Sequence, residues 1–165
     1  MEDQQINELR TELIDKFINL ETFVDAVITQ HYFHQISDKF LFEVLYDENF
    51  SFSLKHNILK KITQPPANKV LEKLHRIGQI RNYFAHRGRE LVDWVGTSRR
   101  VRVIDPRKLD HEIDFPKLYK EFCDLERPVI QYLIKVFEEK GGRFLTDKEI
   151  ENLCRNNRKC SAAGS

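Results

Sequence analysis

The strongest constraint on the fold is a regular spacing of apolar residues near the N-terminus. Apolar or half-apolar side chains recur at alternating intervals of four and three, at Leu13, Phe17, Leu20, Val24, Val27 and His31, with Ile6 ahead of them. Residues three and four apart lie on the same side of a helix, so this spacing marks one helix face. The sequence predicts a long first helix over about residues 3 to 35.

Two further helices are predicted before the proline pair Pro65-Pro66, which stops the second of them. The first is capped by Ser37 or Asp38 and ends near residues 47–49. The other begins around Ser51 or Ser53. Its predicted inner face carries Leu54, Ile58, Leu59 and Ile62, and its predicted outer face carries Lys55, Lys60 and Lys61.

A fourth helix is predicted from Pro66 to about His86, with Gly88 as its C-terminal cap. Its apolar stripe comprises Val70, Leu74, Ile77 and Phe84, and the spacing requires another member at position 81, which is Arg81. A second stripe on this helix is polar throughout and comprises Glu72, His75, Gln79, Asn82 and His86.

The helical period fails between Arg89 and Asp110, where two short β-prone runs cover residues 92–95 and 101–104. They predict a small β-hairpin or an ordered loop, with residues 96–100 as the connection. A last long helix is expected over about residues 115–140, kinked by Pro128 and ended by Gly141-Gly142. Residues 146–149 form a capping-box pattern that predicts a short terminal helix.

Together these elements predict an all-α fold class. We expect an up-and-down bundle of four to five helices, with the small hairpin or loop inserted before the last long helix. A chain of 165 residues fits one domain of this kind. Its expected extent is residues 1–145, followed by a terminal helix and flexible tail over 146–165. Such a bundle hosts many functions and indicates none by itself.

Composition narrows the class of protein. The net charge of +1 excludes strong attraction to polyanions through bulk charge, so binding of nucleic acid requires a local patch. Three cysteines without a C-x-x-C pair argue against a disulfide framework and a structural zinc site. An acidic N-terminus and the absence of long apolar runs predict a cytoplasmic protein with no membrane segment.

No cofactor or metal site is predicted. The sequence has no Gly-rich phosphate loop, nucleophile elbow or paired-carboxylate pattern. His31 and His34 have a spacing that metal ligands can use, yet no Asp, Glu or Cys at ligand spacing completes a site. We expect these histidines to be partly buried interface residues.

The residues best suited to chemistry lie at the end of the fourth helix, in the segment Arg81-Asn82-Tyr83-Phe84-Ala85-His86. Asn82 and His86 are four residues apart and share a helix face, which the long Arg81 side chain can reach. An imidazole can move the proton of an RNA 2′-hydroxyl or protonate the leaving oxygen. A guanidinium can stabilise the charge on a pentavalent phosphorane, and an amide can orient either group. These groups suffice for RNA cleavage without a metal.

The pattern Arg81-Asn82-x-x-x-His86 resembles the signature of the HEPN superfamily, and the likeness covers roughly residues 5 to 140. In that superfamily an Arg, usually followed by a polar residue such as Asn, precedes a His by four to six residues near the end of a core helix. The resemblance implies a metal-independent endoribonuclease that works as a homodimer with two facing motifs. It implies catalytic roles for Arg81 and His86, with Asn82 supporting them.

The same resemblance points to toxin–antitoxin or defence systems, and with them to a cognate protein inhibitor. Many toxin members carry a Tyr two residues after the His, whereas this sequence has Gly88. The departure argues against the toxin subclass and leaves the roles of Arg81 and His86 unaffected.

A basic segment follows the motif. Residues 81–108 contain eight basic and three acidic side chains, a net charge of +5 in a chain of +1. Arg87, Arg89, Arg99, Arg100 and Arg102 are candidates for binding an RNA backbone, with Tyr83 or Trp94 available for base stacking. A solvated loop of ordinary charge is the alternative.

A second hypothesis for the whole chain belongs to another class of function. A non-catalytic HEPN-like adaptor or regulator would use the same bundle to bind a protein or RNA. Arg81 distinguishes the two, because a binding module has little reason to place Arg on an apolar stripe unless that stripe faces a partner.

Overall fold

The chain forms an α-helical bundle with a small antiparallel sheet before its last helix. The structure is a computed structural model and describes residues 3–34, 37–47, 50–63, 67–85, 89–95, 98–105 and 108–144, with the backbone alone over 89–112. The helices are α1 (Asp3–Phe33), α2 (Asp38–Phe40) with a π-helical continuation (Leu41–Leu45), α3 (Phe52–Ile62), α4 (Asn68–Ala85) and α5 (Phe115–Glu139). The strands are β1 (Arg89–Val95), β2 (Ser98–Asp105) and β3 (Lys108–Glu112). The predicted all-α fold class is confirmed.

Helix α1 organises the core, since it packs against α3, α4 and α5. The apolar stripe predicted for it is confirmed: Leu13, Phe17, Leu20, Val24 and Val27 are all at most 2% exposed. Burial of side chains of this size stabilises the bundle by roughly 1.5–3 kcal/mol each before entropy is counted. The start predicted for α3 is also confirmed, because Ser51 is its N-cap and its hydroxyl accepts from the backbone N–H of Leu54.

The faces predicted for α3 are wrong at two positions. Lys55, expected on the outer face, is only 2% exposed, and Leu54, expected on the inner face, is 42% exposed. The reason is electrostatic, because the Lys55 ammonium contacts Asp25 at 2.9 Å and Glu21 at 2.7 Å, both on α1. A buried lysine is tolerated when carboxylates pair with it.

The apolar stripe predicted for α4 is displaced by one residue at two of its five positions. Leu74, Ile77 and Phe84 are buried as expected. The flanking core positions are filled by Leu71 and Ile80 rather than by Val70 and Arg81, which are half-buried. Arg81 therefore lies at the edge of the core.

The predicted hairpin is present and is part of a larger sheet. Strand β1 pairs antiparallel with β2, with Val92 opposite Val101 and Val95 opposite Ser98. The connection is shorter than predicted, since β2 already begins at Ser98. Strand β3 adds to β2 across an irregularity at Ile104/Asp105. This third strand was not expected, because Lys108–Glu112 has no β-prone run.

Helix α5 packs along both α1 and α4 and closes the bundle. Asp114 caps it by accepting from the Lys117 N–H at 3.0 Å, and the helix continues across Pro128. Gly141, with φ of +83°, follows its end as predicted. The predicted terminal helix, the boundary at residue 145 and the predicted turn residues Pro65, Pro66 and Gly88 lie outside the described residues.

Candidate active site

Arg81 is held at the rim of the core by an aromatic ring. Its guanidinium carbon lies 5.2 Å from the centroid of the Phe17 ring on α1, a cation–π geometry. Its Nη1 donates to the Asn82 side-chain oxygen at 3.2 Å. Its Nε is buried and has no hydrogen-bond partner among the described residues. The guanidinium is thus positioned by packing, and its Nε–H is unpaired within the described part of the chain.

Arg81 and Asn82 line a cleft of about 270 Å³ between the start of α3 and the second half of α4. The polar side chains that share this cleft come from both helices and include Ser51, Ser53, His56, His75, Arg81 and Asn82. The first turn of α3 carries backbone N–H groups that lack intrahelical partners, and the positive end of its dipole lies here. A guanidinium and a helix N-terminus at one cleft favour an anion.

His75 has a defined tautomer in this cleft. Arg76 Nη1 donates to the side-chain oxygen of Gln79 at 3.4 Å, so the Gln79 amide nitrogen is the atom that lies 3.1 Å from His75 Nε2. An amide nitrogen only donates, and the His75 Nε2 must accept. Arg76 is itself fixed by two bonds to Glu121, at 2.7 and 2.9 Å, which hold the pKa of Glu121 below its usual range.

His56 has the opposite arrangement of its ring nitrogens. Its Nε2 lies 3.0 Å from the backbone carbonyl of Leu71, which can only accept, so Nε2 carries the proton and donates. The neutral ring then has its lone pair on Nδ1. The two imidazole rings are neighbours, with centroids 5.6 Å apart.

Gly78 lets the two helices approach at this point. A Cβ at this position would lie 3.0 Å from the Phe52 ring, which is tighter than nearly all Cβ contacts. Phe52 in turn packs on Phe17 with 4.7 Å between ring centroids. The close approach of α3 to α4 brings His56 beside His75, although the two residues are far apart in sequence.

The other residues predicted for the site are only partly placed. Tyr83 is half-buried in the last turn of α4, and His86 and Arg87 lie outside the described residues. The carbonyl of Ala85, the last residue of α4, accepts from Arg10 Nη2 at 3.2 Å. Arg89 lies in β1, and Arg99, Arg100 and Arg102 lie in β2, where the backbone pairs them opposite Trp94, Asp93 and Leu91 respectively.

The predicted polar stripe of α4 is exposed in its described part. Glu72, His75, Gln79 and Asn82 all face away from the core. Of the two histidines considered for a metal, only His31 is partly buried as expected, because His34 is exposed. His31 Nδ1 lies 2.9 Å from Lys140 Nζ, and burial lowers the pKa of His31. Within the described ranges no group of three possible metal ligands is found.

Three features of this region were not predicted from the sequence: His56, the position of His75 in the cleft, and the buried ion cluster of Lys55. That cluster borders a second cavity of about 300 Å³, which Tyr46 and Asp47 also line. Asp25 Oδ1 is buried and accepts no hydrogen bond from the described residues, and desolvation raises the Asp25 pKa to about 6. The one available signal was the pair of carboxylates beside the apolar stripe of α1, at positions 21 and 25.

In the described part of the chain no helix is long and apolar enough to cross a membrane. Comparison with protein families, with curated proteins and with solved structures gives no match.

Proposed function

We propose that this protein is a HEPN-type, metal-independent endoribonuclease that cleaves RNA through a 2′,3′-cyclic phosphate. The observation that carries the proposal is the setting of Arg81, whose guanidinium is fixed on the Phe17 ring at a cleft that also holds two imidazoles. Phosphoryl transfer is accelerated by groups that are already positioned around the charge that develops in the transition state.

The chemistry assigned to the motif follows from its side chains. Arg81 binds the non-bridging phosphate oxygens and stabilises the extra charge as the 2′-oxygen attacks phosphorus. Asn82 accepts from Arg81 and orients it. His86, the next residue after α4, is assigned a proton transfer. No metal has a part in these steps.

The proposal extends to RNA binding, assembly and regulation. The basic segment of residues 81–108 binds the RNA, and the active form is a homodimer in the cytoplasm. A role in defence would bring with it a cognate protein inhibitor. The exposed polar stripe of α4 supports the homodimer, because it is a surface close to Arg81 on which two copies of the chain can meet across a two-fold axis.

The test is incubation of the pure protein with mixed RNAs in excess chelator, followed by analysis of the product ends. We expect 2′,3′-cyclic phosphate and 5′-hydroxyl ends, and loss of cleavage on the order of 10²- to 10⁴-fold in a His86→Ala variant purified in parallel. Absence of cleavage, or equal cleavage by the folded His86→Ala protein, would contradict the proposal.

A second candidate is the non-catalytic adaptor, and one observation favours it. Phe42 and Tyr46 are 69% and 51% exposed, with their rings in edge-to-face contact at 5.5 Å. Exposed neighbouring aromatic rings are typical of surfaces that contact another protein. Tight RNA or protein binding without any cleavage would support this reading.

A further inference from the structure

Cleavage through a cyclic phosphate requires a base beside the phosphate, because the 2′-hydroxyl must lose its proton to attack. The inference that follows rests on the proposed function and assigns this role. The HEPN-like motif places Arg81 in the cleft between α3 and α4. The base must be a group of that cleft with an available lone pair.

His56 meets the requirement by its hydrogen bonding. Its Nε2–H donates to the Leu71 carbonyl, which fixes the ring and leaves the lone pair on Nδ1. No described residue donates to that nitrogen. A carbonyl bonded to the far N–H also stabilises the imidazolium that forms when the ring accepts a proton.

His75 is less suited to act as the base, because the lone pair on its Nε2 already accepts a hydrogen bond from the Gln79 amide. Its ring lies against His56, and it keeps an N–H on Nδ1 that can donate to a phosphate oxygen. Arg81 and His75, both on α4, are the charged or titratable groups that line the cleft around His56 in the described part of the chain.

We propose that His56 is the general base of this cleft and that His75 binds the phosphate beside Arg81. In the step, His56 Nδ1 takes the proton of the 2′-hydroxyl, the O2′–P bond forms, and the P–O5′ bond breaks. The leaving O5′ is protonated by the motif histidine to which the proposed function assigns a proton transfer. His56 then gives its proton to solvent water, and the motif histidine takes one back. The products are a 2′,3′-cyclic phosphate and a 5′-hydroxyl.

The experiment compares three histidine variants on one RNA in chelator. His56→Gln keeps an N–H for the Leu71 carbonyl and has no basic nitrogen. His56→Ala leaves a space that imidazole from the buffer can fill. His34→Gln, at an exposed position after α1, is the matched control. Thermal unfolding of each variant is measured alongside.

We expect His56→Gln to lose activity on the order of 10²- to 10⁴-fold while staying folded. Added imidazole should restore part of the activity of His56→Ala, and His34→Gln should cleave like wild type. If wild type cleaves and His56→Gln cleaves equally well, or if imidazole restores nothing to folded His56→Ala, this inference fails and the proposed function stands. If wild type does not cleave, both fail.

Discussion

The guanidinium of Arg81 lies over the ring of Phe17, with 5.2 Å between Cζ and the ring centroid. The contact joins α4 to α1 through a planar cation on an aromatic face, a geometry that lysine cannot reproduce with its compact ammonium.

Replacing Arg81 with Lys should therefore separate packing from catalysis. Lysine keeps the charge and most of the stem, so we expect the free energy of unfolding to fall by only about 1 kcal/mol. The planar fork that would bind two phosphate oxygens is lost, and RNA cleavage should fall by about 10²-fold or more. Cleavage assays and thermal unfolding on the same preparation check both expectations. Wild-type activity in Arg81→Lys would remove this residue from the mechanism.

The sequence predicted the helices well and the cleft poorly, for physical reasons. The spacing of apolar residues in α1 predicts burial directly, and all five apolar members of the stripe between positions 13 and 27 are buried as the spacing requires. Lys55 was assigned to the wrong face because a charged side chain in an amphipathic pattern is expected to face solvent. The carboxylates that pair with it lie on another helix and become visible only in the fold. His56 and Leu71 are joined by a bond across two helices, which no local spacing reveals.

Breaking the buried ion cluster should be costly when only its cation is removed. Lys55→Met leaves Asp25 buried without a partner, and the expected loss is roughly 3–5 kcal/mol of unfolding free energy. The double variant Lys55→Met/Asp25→Leu removes the buried carboxylate as well, and most of that stability should return. Chemical denaturation of the two variants measures the difference. Equal losses in both would show that the ion pair itself, rather than the uncompensated charge, holds α3 to α1.

The stability of the protein should depend on pH through Asp25. Burial raises the Asp25 pKa from 3.8 to about 6, so between these values the folded state binds the proton that the unfolded state releases. The unfolding free energy contributed by this group is therefore highest below pH 3.8 and falls as pH rises through 6, by about 3 kcal/mol.

Asp25→Asn removes this titration, which provides the measurement. The difference in unfolding free energy between wild type and Asp25→Asn should shift in favour of wild type as pH is lowered from 7 to 4. Asp15→Asn, at an exposed position on the same helix, is the control for exchanging a carboxylate for an amide. A difference for Asp25→Asn that stays constant with pH would contradict the raised pKa.

Reversing the charge of Arg99, Arg100 and Arg102 in β2 should weaken RNA binding and reduce its dependence on salt. Each phosphate contact to single-stranded RNA contributes about −0.7 to the slope of log affinity against log salt, because a counterion is released. The matched control converts three exposed lysines on α3 and α4, Lys60, Lys61 and Lys69, to glutamate. The net charge changes equally in both proteins. If the two variants lose affinity equally, RNA responds to total charge and the segment of residues 81–108 is not its binding site.

Assembly provides the last prediction, because the exposed polar stripe of α4 is expected to meet its own copy across a two-fold axis. A chain of 19.7 kDa should then show twice that mass in light scattering at high micromolar concentration. A Gln79→Lys substitution places a new cation on this stripe in both copies, and like charges near the axis should weaken dimerisation by at least about tenfold. Gln131→Lys, on the exposed side of α5, adds the same charge elsewhere and should leave the dimer intact. A monomer at every concentration would exclude the two-fold arrangement. Equal disruption by both variants would show that the copies meet on another face.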